Sequence, residues 1–105
     1  NVIAVNIQRT GEVVHPTDFT LRAPEDVAVF TEYLSGIGKL REAQDSKYFW
    51  SSGSPYVITL HTADGSRTEY VVKDDLLMME DSPWFWFPGY EELQALILAY
   101  RPSNP

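Results

Sequence analysis

Residues that do chemistry in proteins are few here, and their spacing is loose. His15 lies beside Pro16 and His61 lies far along the chain. No HExxH or HxH spacing joins them, so neither makes a metal site by itself, and the plain reading is surface or structural histidine. Cysteine is absent, which removes disulfides, cysteine-ligated zinc and a thiol nucleophile. Hydroxyls are plentiful but no Gly-x-Ser-x-Gly turn presents one. Ser35-Gly36-Ile37-Gly38-Lys39 has phosphate-loop composition, yet it stands where a helical pattern ends rather than where one begins.

Carboxylates are more suggestive. Asp74, Asp75, Glu80, Asp81, Glu91 and Glu92 fall between positions 74 and 100 with no Lys, Arg or His among them. Such a run is open to calcium, to a hydrolytic carboxylate pair, or to a basic partner. The plain reading is solubility, with Glu91 and Glu92 favourably placed at a helix N-terminus.

Aromatic residues are the sharper anomaly. Of fourteen, eleven lie from Tyr48 onward, and Trp84-Phe85-Trp86-Phe87 runs directly toward Tyr90. In a strand Trp84 and Trp86 face one way and Phe85 and Phe87 the other. A small aromatic-rich core commonly absorbs both pairs. If one pair stays at the surface, Trp84, Trp86, Tyr90 and Trp50 beside Glu80 and Asp81 form a binding surface for a protein segment, a sugar ring or a cationic group.

These residues need a scaffold. The 105 residues suit one domain spanning 1–100, with 101–105 as a tail. The net charge of −7 disfavours nucleic acid, and no apolar run is long enough to cross a membrane as a helix. Val2 to Gln8 alternates, predicting a strand with Ile3, Val5 and Ile7 on one face. Val13-Val14 offers a short partner strand, and Phe19 and Leu21 another. Pro24, Glu25 and Asp26 open a helix whose stripe is Val27, Phe30, Leu34 and Ile37, ended at Ile37 by Gly36 and Gly38 as left-handed caps. Residues 39–55 stay ambiguous, with a turn of helix or a loop over Arg41 to Lys47.

Tyr56–Thr62 and Ser66–Lys73 form a hairpin. A three-residue loop, Ala63-Asp64-Gly65, pairs Leu60 with Thr68, Ile58 with Tyr70 and Tyr56 with Val72, and sorts one apolar face cleanly. It requires Gly65 left-handed, in a bulge. Leu76 to Glu80 and Trp84 to Phe87 extend the strands. A helix from Tyr90 to Tyr100 closes the fold, with Leu93, Leu96, Ile97 and Tyr100 as its stripe. The expected class is α+β: an antiparallel sheet of four to six strands with two helices packed on one face.

Tyr56-Val57-Ile58-Thr59-Leu60, the Asp64-Gly65 turn, Tyr70-Val71-Val72, an aromatic pair and a closing helix resemble small domains of unknown function in bacterial, mostly Gram-positive, lipoproteins and extracytoplasmic proteins. The resemblance spans about residues 20–100. It implies an α+β domain outside the cytoplasm, without known catalysis, and it transfers no site residue; no cofactor is expected. The opening Asn1, without Met, suits a processed or trimmed chain that a removed N-terminal segment once anchored. The expected function is therefore a non-enzymatic extracytoplasmic domain that binds a protein or other ligand, or serves as an accessory module. The alternatives are a cytoplasmic immunity- or inhibitor-type protein for a basic partner and, behind it, a carboxylate-based hydrolase.

Overall fold

A computed structural model describes residues 1–9, 17–43, 55–80 and 82–102. Six strands and two helices follow one another as β1 (Val2–Arg9), β2 (Thr17–Leu21), α1 (Pro24–Ser35), β3 (Tyr56–Thr62), β4 (Arg67–Lys73), β5 (Leu76–Met79), β6 (Phe85–Trp86) and α2 (Tyr90–Tyr100). The strands make one antiparallel sheet in the order β2-β1-β3-β4-β5-β6. From β3 onward each strand pairs with its successor. Only the β2–α1–β3 passage, which skips over β1, breaks that run.

Paired residues share a sheet face. Ile7 opposite both Phe19 and Ile58, then Tyr56, Val72 and Leu77 in register, define one apolar face. Val27, Phe30 and Leu34 of α1 and Leu93 and Ile97 of α2 close the core on that same face. Both helices thus cover one side. The helices also touch each other, with the Phe30 and Tyr100 rings edge-on at 5.5 Å. A Tyr33 hydroxyl donated to the Gly89 carbonyl at 3.2 Å joins α1 to the start of α2. Gly89 is needed there, because a Cβ would come within 2.9 Å of that hydroxyl and 3.1 Å of the Phe87 ring.

The β3–β4 hairpin has the three-residue loop, with Tyr56↔Val72, Ile58↔Tyr70 and Leu60↔Thr68 and Gly65 at φ +90°. Its turn is knitted by Asp64, whose Oδ1 accepts from the Thr62 hydroxyl and from the Ser66 N–H. Those bonds, the Thr62 one foremost, hold the Asp64 carboxyl down at a pKa of about 2. The sign follows. Ionised Asp64 supports the folded state above the unfolded carboxyl pKa near ~3.9, and that support is lost as pH falls toward 2. Acid unfolding of Asp64→Ala is therefore expected to be less steep between pH 4 and 2 than that of the parent, followed by circular dichroism. Equal slopes would contradict the bonded turn.

Two expectations are corrected. Ile3 does not join Val5 and Ile7, because the β1–β3 register shifts between Val2 and Ala4. That irregularity leaves Ile3 52% exposed and buries Ala4 instead. Helix α1 stops at Ser35 rather than Ile37, and Gly36 at φ −84° is right-handed, not a left-handed cap. The Gly36 N–H simply continues to the carbonyls of Glu32 and Tyr33, and no left-handed φ is found at Gly38. The strand expected at Val13-Val14 lies outside the described residues.

Candidate binding site

The short strand β6 decides which aromatic rings share a side. Leu77 pairs with Phe85 and Leu76 with Trp86. Phe85 therefore faces the helices with Leu77, and Trp86 faces the opposite side. Trp84, two residues earlier in the same extended run, falls on Trp86's side, while Phe87 is sealed in the core at 3% exposure. Trp84, Phe85 and Trp86 are half-buried.

The outer flank of β6 is also paired. Glu42 forms a bridge to Phe85, Ala43 donates its N–H to the Trp84 carbonyl at 2.8 Å, and Trp86 donates to the Arg41 carbonyl at 2.8 Å. Residues 41–43 thus lie extended along the sheet edge, not as a turn of helix. The Phe87 N–H to the Asp75 carbonyl, 2.7 Å, fixes where β6 leaves the β4–β5 turn.

On the side of the sheet away from the helices, Val57, Val71 and Met78 form a half-buried cross-strand row. Lys73 and the buried Leu76 form the next row, which ends at Trp86. The two indoles stand at the β6 end of these rows. The rim carries both charges: Glu80 is exposed just past β5, whereas Lys73 shares Trp86's row and Arg41 is bonded to its backbone.

Of the residues expected to bind, Trp84 and Trp86 are brought together, with Glu80 following the strand beside them. Tyr90 is not with them. It opens α2, and its ring lies 6.4 Å from that of the core residue Tyr56, on the helix side. Trp50 and Asp81 lie outside the described residues. Asp74, Asp75, Glu80, Glu91 and Glu92 are all exposed, and no group of three or more His, Asp or Glu able to hold a metal is found among the described residues. No described helix is long and apolar enough to cross a membrane.

The sequence reading missed a cavity. On the helix side of the same sheet end, a space of about 310 Å³ lies between the segment following α1 and strands β4 to β6, bounded by Ile37, Leu40, Tyr70, Met79 and Phe85 with Lys39. Its signal is faint. Ile37 and Leu40 bracket Gly38 and Lys39 just where a helix ends, so the segment reads only as a stop.

No protein-family model matches the chain, and no curated protein or solved structure matches it. The functional reading therefore rests on the geometry of the two faces.

Proposed function

We propose that this chain is a non-enzymatic extracytoplasmic binding domain, and that it recognises a protein segment carrying apolar and basic side chains through the sheet side that bears Trp84 and Trp86. The observation that carries the reading is the separation of rings at β6: Phe87 is sealed in the core, whereas both indoles stay half-buried on the side away from α1 and α2. Tryptophan is the residue most often found to dominate protein interfaces, and its face attracts cations. Val57, Val71 and Met78 supply a continuous apolar strip leading to it. A net charge of −7 steers a basic partner toward the domain. The placement outside the cytoplasm rests on the resemblance of the hairpin, aromatic pair and closing helix.

The test is a titration of ¹⁵N-labelled protein with an alternating lysine–leucine pentapeptide, with a glutamate–leucine pentapeptide as control. Indole N–H signals report directly, and Trp50→Phe isolates those of Trp84 and Trp86. Saturable shifts of both indoles with the basic peptide are expected, weakening several-fold as salt is raised. Equal shifts with the acidic peptide, or binding that leaves both indoles unmoved, would overturn the proposal.

A further inference from the structure

The cavity at the C-terminal end of α1 is lined mainly by apolar side chains. Its walls are apolar side chains from three parts of the fold: Leu34 and Ile37 from α1 and the segment after it, Tyr70 and Leu77 from the sheet, and Phe85 from β6. At about 310 Å³ it stands at the small end of the range of ligand sites, ~300–1,000 Å³. Three exposed residues, Gly38, Lys39 and Met79, give it a mouth. Among the described residues, its lining holds one lysine and no carboxylate.

We infer that this cavity is a site for a small amphiphile with an anionic head, a medium-chain carboxylate, whose chain lies among Ile37, Leu40 and Phe85 and whose head meets Lys39. An apolar cavity with a cation at its mouth favours a ligand that is apolar along its length and oppositely charged at one end. Lys39 also stands just past the C-terminus of α1, whose last turn carries no base. A role limited to the helix dipole would alter stability without selecting a head group.

Octanoate, octanol and octylamine, each kept below its aggregation threshold, are titrated into the ¹³C-methyl-labelled protein. Octanoate is expected to shift the methyl signals of Ile37, Leu40 and Met79 saturably, and to bind at least tenfold more tightly than octylamine. Lys39→Glu should reverse that order. Gly38 lines the cavity, and a Cβ there meets nothing within 4 Å, so Gly38→Phe should weaken octanoate at least tenfold while leaving the urea midpoint near that of the parent. Trp84→Gln/Trp86→Gln should leave octanoate binding unchanged, which separates this site from the aromatic face. Methyl shifts scattered away from the cavity would overturn the assignment. Octanol and octylamine matching octanoate in both parent and Lys39→Glu would overturn it too.

Discussion

Phe30→Ala is expected to lower the stability of the domain by about 3–5 kcal/mol, the usual cost of removing a fully enclosed phenyl ring. Phe30 is 0% exposed and sits where the two helices and the sheet converge. Its loss also removes the edge-on contact with Tyr100, a kind of pair that adds roughly 0.5–1.5 kcal/mol beyond area burial. Domains of this size hold only ~5–15 kcal/mol in total, so the variant would be near the edge of folding. At a urea dependence of about 2 kcal/mol per molar, the midpoint should fall by roughly 2 M. Leu98→Ala, on the outer side of α2 at 54% exposure, should stay within about 0.5 kcal/mol of the parent. Equal effects of the two substitutions would mean that the helices do not share one face of the sheet.

Much of this architecture was legible from spacing alone. The β3–β4 register follows from side-chain pattern, because a slip by one residue would have set Glu69 opposite Leu60 and Tyr70 opposite Thr59, mixing charged and apolar side chains on each face. Helix α2 has the expected bounds, since Pro88-Gly89 and Pro102 punctuate an unbroken stripe of period 3.6. What failed were features that local pattern does not encode. A register shift between Val2 and Ala4 displaces one residue of an otherwise regular alternation, and nothing in Val2-Ile3-Ala4 announces it. The end of α1 was misjudged because glycine permits a left-handed cap without requiring one. Residues 41–43 alternate too weakly to read as extended, and their pairing to β6 comes from the partner strand. The division of rings at β6 was readable as an alternation. Their surroundings were not: the rim proved mixed rather than acidic, Tyr90 stands on the helix side, and the cavity needs three distant segments to exist.

The central claim is that the two sides of β6 do different work, one closing the core and the other offering indoles for recognition. Replacing rings by glutamine separates these roles. Phe87→Gln removes a buried ring and encloses an amide that has lost water, which adds about 1–3 kcal/mol to the ~3–5 kcal/mol of the lost ring and should leave the chain largely unfolded. Glutamine in place of Trp84 or Trp86 keeps an amide at a half-buried position from which it can reach solvent, so a loss of no more than about 2 kcal/mol is expected for either. The decisive measurement is the set of urea midpoints of Phe87→Gln, Trp84→Gln and Trp86→Gln. Collapse of the first, with the other two unfolding cooperatively at midpoints no more than about 1 M below that of the parent, is the expected result. Tryptophan variants that unfold as readily as Phe87→Gln would show that the indoles are core and that this side of the sheet is not a recognition surface.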